Sequence, residues 1–414
     1  MRAVLPPSLR FWLKFTRAKL LAGWRKAPQQ NYFKQDASGQ TRAANTKAQR
    51  RVIVFDDHLP APDRDAGGVR MSLILKSLVK LGQPVFISLS KLRQPEYERL
   101  LAEDGVELAS WLDYKQLIKE RRFDVALLSR PDVAASLLPS IKKADPHIKT
   151  IFDTVDLAFV RLEREYRLTG DEKVAQEAQY YRKLETRLAQ SCDQVWCVTT
   201  DDLAVLKQAA PSARFEIIPT IHALQDRGQS FAARQGLLFI GNFLHRPNAD
   251  AIHYFMREID PLVRKAIPDL KVFVVGEHAP PEIVAYGSQH VSITGYVPDV
   301  DPIFHNCRVF IAPLRFGSGV KGKIGQALSY GLPVVTTSIG AEGMSLEQGR
   351  DVVIGDEARE FATGLIRVYG DAELWQRLSD HGYNHIARHF TPQVVEENIH
   401  RAIKNICGPD ETNG

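Results

Sequence analysis

From residue 51 onward the chain alternates short runs rich in Val, Ile and Phe with segments of helical period, and this alternation leaves few folds open. Continuous apolar strands separated by helices belong to parallel sheets covered on both faces. The first series is RVIVFDD (51–57), PVFISL (84–89), FDVALLS (123–129), KTIFDTVD (149–156), DQVWCVT (193–199) and EIIPT (216–220). VRMSLILKSLVKLG (69–82) supplies its first amphipathic helix, and one long polar helix is predicted between 159 and 190. A second series opens at GLLFIGN (236–242) and runs through KVFVVG (271–276), VSITGYV (291–297), RVFIAPL (308–314), PVVTTS (333–338) and DVVIG (351–355). Helices from 357, 372 and 392 close the chain. A length of 414 residues is too much for one core, so the fold class is α/β with two Rossmann-like, doubly wound domains. The predicted division is 1–50, 51–225, 226–390 and 391–414. Open α/β sheets bind ligands at the carboxyl ends of their strands, which for two such domains is the cleft between them.

Charge is distributed unevenly. The first 50 residues hold eleven Lys and Arg against Asp36 alone, whereas the whole chain carries only +5, so the folded body is mildly acidic. Nucleic acid is therefore excluded as the main partner. Within the arm, residues 9–26 (LRFWLKFTRAKLLAGWRK) place Leu9, Trp12, Leu13, Leu20 and Trp24 on one side of a helix, flanked by Arg10, Lys14, Arg17 and Arg25. That pattern suits a helix lying in an anionic membrane surface; a helix packed on the body, a disordered arm and a transit peptide are the alternatives. Residues 27–49 read as a flexible linker. No apolar run reaches the length of a membrane span or of a secretory signal. Cys192, Cys197, Cys307 and Cys407 form neither a disulfide framework nor a zinc set, which points to core filler in a reducing cytoplasm.

The segment richest in chemistry is RFGSGVKGKIGQALSYG (315–331), directly after an apolar strand. Gly317, Gly319 and Gly322 spell GxGxxG, with Glu342 twenty residues on, which invites a dinucleotide reading. Its late position in the second series and the two lysines in its turn argue against nicotinamide. Free N–H groups at a helix start, glycines that admit an anion and Lys321 with Lys323 argue instead for a diphosphate. Asp63-Arg64-Asp65 has the DxD form of a metal-bound donor site but sits beside Gly67 and Gly68 in a polar loop. Asp56-Asp57 and Asp201-Asp202 read as strand-end and helix-start carboxylates, and His58 and Asp156 as candidate acceptor-side groups. No GxSxG, Walker or HExxH motif is present, which excludes those hydrolase, ATPase and metalloprotease classes.

On these residues APLRFGSGVKGKIGQALSYGLPVVTTSIGAEGM (312–344) resembles the donor-binding signature of the group 1, family 4 glycosyltransferases with the GT-B architecture. GNFLHRPNADAIHYF (241–255), VFDDHLPAPDRDAGGVRMSLILKSLVKLG (54–82) and DTVDLAFVRLERE (153–165) resemble further segments of that family, so the likeness spans 51–406. The resemblance implies sugar transfer from a nucleotide-diphosphate donor to a glycan or lipid-linked acceptor, with retention and without a bound metal or other cofactor. It also implies that FTPQVVEENIHRAI (390–403) crosses back onto the first domain. Lys321 and Lys323 would hold the phosphates, joined by backbone of Gly317, Ser318 and Gly319 and, from the first domain, by Gly67 and Gly68. Asn242 and Arg246 would line the donor cleft, Tyr296 and Val297 would read the base, and Asp156 would be a catalytic-side group.

The chain departs from the family where glutamates stand eight residues apart, carrying Ser318 and Gln326 instead, and where a histidine often follows DTVDL it has Ala158. A catalytically degenerate subunit that binds nucleotide sugar or glycan therefore stays open beside the enzyme, with a nicotinamide oxidoreductase as the remaining alternative. The expected location is the inner face of the membrane, held by the basic arm. Deleting residues 1–34 is then expected to move the protein from the membrane fraction to the soluble one, as read by fractionation.

Overall fold

The computed structural model describes residues 50–62, 66–90, 92–317 and 319–408. The basic stretch 9–26, the loop Asp63-Arg64-Asp65 and Ser318 lie outside the described residues.

Seven parallel strands make the first sheet: β1 (Val52–Asp56), β2 (Val85–Ser88), β3 (Glu107–Leu108), β4 (Val125–Ser129), β5 (Lys149–Asp153), β6 (Gln194–Cys197) and β7 (Phe215–Ile217). Their order is β3-β2-β1-β4-β5-β6-β7, so the winding reverses between β1 and β4. The second sheet holds β8 (Leu237–Ile240), β9 (Val272–Val275), β10 (Val291–Ile293), β11 (Val309–Ala312), β12 (Val334–Thr336) and β13 (Val353–Ile354) in the order β10-β9-β8-β11-β12-β13, with the reversal between β8 and β11. All recorded pairings are parallel. The central strands are apolar and buried along their length, VIVFD in β1 and VFIA in β11, because helices cover both faces. These are the two doubly wound layers expected from the alternation, and each reversal opens a crevice at the strand carboxyl ends.

Local structure differs from the sequence pattern in four places, the first being the two-residue edge strand β3 (Glu107–Leu108), which the apolar runs did not predict. The polar helix predicted over 159–190 is two helices, Ala158–Thr169 and Glu172–Ser191. Gly170 ends the first in the left-handed region (φ 66), and Asp171 starts the second by accepting from the Lys173 N–H. The first helix begins at Ala66 because Gly67 and Gly68 wind into it. Gly68 lets the helix lie on the preceding loop, since a Cβ there would stand 2.5 Å from the Ala61 carbonyl oxygen. The strands predicted at 216–220 and 351–355 shrink to Phe215–Ile217 and Val353–Ile354.

The last helix, Pro392–Cys407, leaves the second sheet and packs on the first domain. Val395, Ile399, Ala402, Ile403 and Ile406 share one buried cluster with Ile74 and Leu78 of the first helix and with Trp196 of β6. Lys80 reaches Glu396 and the His400 ring meets the Ser77 carbonyl at 3.1 Å. The chain also leaves the first sheet under a buried tie, where Arg70 holds both oxygens of Asp153 at 2.8 and 2.9 Å and the Ile218 carbonyl at 2.9 Å. Cys192, Cys197 and Cys307 are free and buried. Among the described residues no helix is long and apolar enough to cross a membrane.

Ile399 is fully buried in this contact. Ile399→Ala is expected to cost about 2–5 kcal/mol, from lost burial and the cavity left behind. Urea unfolding should show the lowered midpoint, with exposed Lys404→Ala within about 0.5 kcal/mol of wild type.

Candidate functional site

The loop after β11 feeds an eight-residue helix, Gly322–Ser329, whose N-cap makes no side-chain cap hydrogen bond. Gly317 (φ 147) and Gly319 (φ 64) adopt backbone conformations that other residues disfavour, which turns the loop sharply into the helix. Lys321 stands at the N-cap and is 9% exposed; its ammonium donates to the Gly319 carbonyl at 2.5 Å. Lys323, the second residue of the helix, donates to Asn248 Oδ1 and lies 4.5 Å over the Phe239 ring. Gly241 at the end of β8 leaves room for it, because a Cβ there would come within 2.7 Å of the Lys323 ammonium. Asn248 in turn donates to the Asn242 carbonyl at 2.6 Å, which joins the loop after β8 to the lysines.

Burial pushes the Lys321 ammonium down to about 8, with Glu342 resisting the shift. Burial pushes Lys323 further, to about 7, and the neighbouring Lys321 adds to it. Among the described residues no carboxylate pairs with Lys323. Among those residues its half-buried side chain has no counter-ion.

The first domain closes over this loop. A Cβ on Gly319 would lie 3.4 Å from the Asp156 Cβ and 3.6 Å from Asp202 Oδ2, and one on Gly343 would strike the Thr199 methyl at 2.3 Å. Asp156, just beyond β5, accepts from Arg161 at 3.1 Å. Arg164, one turn further along the same helix, holds both Glu342 oxygens at 2.5 and 2.6 Å and the Gly317 carbonyl at 2.6 Å. Glu342 stands 3.6 Å from the Lys321 ammonium. Burial opposes its ionisation, yet Arg164 and Lys321 hold its carboxyl below the usual range. Arg246, exposed at the start of helix Arg246–Tyr254, pairs with the buried Glu165 at 2.7 Å and forms a second bridge between the domains.

Asp202 was read from the sequence as a helix-start carboxylate. The cap itself is Thr199, whose hydroxyl accepts from the Asp202 N–H at 2.8 Å, and the Asp202 side chain turns into the interdomain contact. It is 4% exposed with Oδ2 unpartnered, and burial, with Asp156 and Glu342 nearby, pushes its carboxyl up to about 7.

The structure therefore sets Lys321, Gly317, Gly319 and, across the cleft, Asp156 side by side and ties Lys323 to Asn242 through Asn248, while Arg246 pairs separately with Glu165. Gln326 lies half-buried on the same helix, its carbonyl accepting from Ser329. Gly67 and Gly68 stand in the first turn of helix Ala66–Val79, Tyr296 is 37% exposed after β10, and Val297 packs on the apolar face under β11. Ala158 begins its helix with its N–H donating to buried Glu185. Asp56, Asp57 and His58 bring their ligand atoms within 4.8 Å of one another, and Arg130 already reaches Asp56 at 2.8 Å and Asp57 at 3.0 Å. Arg164, Asn248, the interdomain placement of Asp202 and the pairing of Glu342 were not found from sequence. Arg164 lies in the quoted DTVDLAFVRLERE segment, but its partner is far along the chain.

Residues 234–371 match the family model described as glycosyl transferases group 1. They form a group 1 glycosyltransferase domain within a GT-B fold. An uncharacterized 44.6 kDa protein in the cps region of Klebsiella pneumoniae is 25% identical over 39% of this chain. That match spans 44% of the relative, under half its length. Anabaena Alr3699/HepE, solved in complex with UDP and glucose, superposes at a TM-score of 0.64 with 12% identity, covering 86% of this chain and 100% of that one. Sucrose-phosphate synthase from Thermosynechococcus elongatus gives 0.67 with 12% identity over 86% and 99%. The pneumococcal O-GlcNAc transferase GtfA, in complex with UDP and GlcNAc, gives 0.66 with 9% identity over 87% and 99%. At these identities the likeness to solved structures is one of fold.

A lysine depressed in the folded state makes the protein less stable at low pH. Below about pH 7 the folded chain carries the desolvated charge, and the penalty disappears as pH rises toward the unfolded value of 10.5. Lys323→Met is therefore expected to raise the thermal unfolding midpoint at pH 6, with an advantage that shrinks steadily between pH 7 and 10.

Proposed function

We propose that the protein is a glycosyltransferase that moves a sugar from a nucleotide-diphosphate donor to a saccharide or lipid-linked saccharide of a bacterial surface polysaccharide. The observation that carries this reading is Lys323, a cation set on an aromatic ring with no carboxylate against it among the described residues, beside Lys321 and a helix start. Such a site binds an anion more strongly than a compensated one, because the incoming charge offsets a desolvation already incurred. The family of residues 234–371 supports the donor class, and the cps-region relative supports the acceptor class.

In this reading residues 226–390 hold the donor and 51–225 the acceptor. The diphosphate lies against Lys321, Lys323 and the N–H groups from Gly317 to Lys323, Ser318 included. Asn242 and Arg246 border it, Gly67 and Gly68 approach from the first domain, Gln326 faces the ribose, and Tyr296 with Val297 border the base. The acceptor hydroxyl attacks the anomeric carbon, the bond from that carbon to the phosphate oxygen breaks, and the departing phosphate takes the hydroxyl proton on the same face, which retains configuration. The two ammonium groups and the helix start stabilise charge where it develops, so no metal is required, and Asp156 orients the acceptor side. Residues 9–26 dock the enzyme on the anionic inner face of the membrane.

The combined Lys321→Ala and Lys323→Ala variant is expected to lose nucleotide-diphosphate binding and transfer while keeping the wild-type circular dichroism spectrum, since Ile324, Ala327 and Leu328 hold the helix below. Wild-type transfer is expected to persist in EDTA. Transfer by the double variant would remove the donor assignment, and metal-restorable loss in EDTA would move the reading to Asp56, Asp57 and His58 or to Asp63 and Asp65. A folded wild type that binds nucleotide sugar without turnover supports the degenerate-subunit reading, which Ser318, Gln326 and Ala158 keep in view.

A further inference from the structure

Arg164 has no part in the chemistry above, yet it makes three short contacts across the cleft. Both of its terminal nitrogens are engaged by Glu342, and one also holds the Gly317 carbonyl in the glycine loop. A planar guanidinium that takes both carboxylate oxygens fixes the orientation of the carboxylate as well as its place. The consequence for Lys321 is geometric. Its ammonium stands 3.6 Å from Glu342 Oε2, inside ion-pair range and beyond a hydrogen bond, while one N–H goes to Gly319 at 2.5 Å. Glu342 thus supplies negative charge without taking up the remaining N–H groups.

We propose that Arg164 and Glu342 are positioning residues that present Lys321 to the donor diphosphate, Glu342 holding the buried ammonium charged and Arg164 keeping that carboxylate from closing on it. The proposal rests on the donor-site reading. Because Arg164 belongs to the first domain and Glu342 to the second, this setting exists only while the domains are in contact. Among the described residues the charged and titratable groups around Lys321 are Glu342 after helix Ser338–Ala341, Arg164 on helix Ala158–Thr169, Asp202 on helix Thr200–Ala209, Asp156 near Gly319, Lys323 on its own helix and His245 before helix Arg246–Tyr254.

The two residues therefore fail in opposite ways. Without Glu342, Lys321 faces Arg164 and Lys323 and gives up its proton at lower pH. Without Arg164, Glu342 is free to close on Lys321 and compete with the incoming phosphate.

The test is calorimetric titration of the full-length protein with UDP, GDP and inorganic pyrophosphate between pH 6 and 9. Wild type is expected to bind at least one of these probes, and Lys321→Ala to weaken it. Glu342→Gln should weaken binding about tenfold near pH 8 and recover toward wild type at pH 6, its pH midpoint displaced to lower pH by about one unit. Arg164→Gln should weaken binding across the range without that displacement, Arg164→Lys should fall between it and wild type, and the double variant Arg164→Gln with Glu342→Gln should bind better than Arg164→Gln alone. A merely structural bridge moves neither the midpoint nor the order of the variants. Equal midpoints in wild type and Glu342→Gln, or a double variant no better than Arg164→Gln, overturn the proposal. If wild type binds none of the probes, or Lys321→Ala binds as wild type does, the donor-site reading itself fails and the proposal falls with it.

Discussion

Two ammonium groups are held out of water where the two domains meet, and the cost of desolvating them governs much of the surrounding structure. Burial pushes Lys321 to about 8 and Lys323 to about 7, so near neutrality both sit close to losing the charge that a phosphate site needs. Among the described residues only Lys321 of the two has a carboxylate to resist this, and Glu342 is shared with Arg164. Lys323 has an amide oxygen and an aromatic face, which orient the ammonium without neutralising it. An anion-binding site built this way is destabilising until its ligand arrives, the usual direction of conflict between site and scaffold.

The fold concentrates the stabilisation elsewhere. Parallel strands buried on both faces supply two apolar layers, and their reversals between β1 and β4 and between β8 and β11 leave strand ends facing a crevice. The last helix returns to the first domain and buries five residues there, so the second domain is tied to the first behind the cleft as well as across it. Across the cleft the contacts are small and polar: Gly319 against Asp156 and Asp202, Gly343 against Thr199, Arg164 with Glu342 and Arg246 with Glu165. Apolar packing therefore carries the connection at the back, while charge governs the front, where a ligand would have to enter.

What the sequence disclosed follows from how local each signal is. The alternation of apolar strands and helical periods is written in neighbouring residues, so both sheets and all their strands but the two-residue edge strand β3 were legible. Lys321 and Lys323 were legible because glycines, strand and helix start all lie within a few residues of them. The break at Gly170 was readable in principle from Thr-Gly-Asp, but the amphipathic pattern runs through it on both sides and masks it. Arg164 and Glu342 were not legible, since they are 178 positions apart and each alone is an ordinary charged residue on a helix or at its end. Asp202 was seen as a helix-start carboxylate because its Thr199 cap is local, whereas its burial depends on a loop of the other domain.

The absence of a glutamate at 326 acquires a second meaning beside Lys323. Residues three apart on a helix face the same side, so a carboxylate at 326 would stand within reach of the Lys323 ammonium as well as of any ribose. It would relieve the desolvated cation and raise its proton affinity, and would also reduce the positive field that the site offers to a diphosphate. In the proposed donor site Gln326 would leave Lys323 uncompensated, to the advantage of a phosphate, and would give up a charge-assisted bond to a sugar hydroxyl, roughly twice as strong as a neutral one. The nearest acidic partner to the lysine pair is then Glu342, on another loop and under the control of Arg164. If the lysine pair holds a diphosphate as proposed, its charge balance passes from a residue fixed within the second domain to a contact between the domains, and its affinity then depends on that contact and not on local sequence alone.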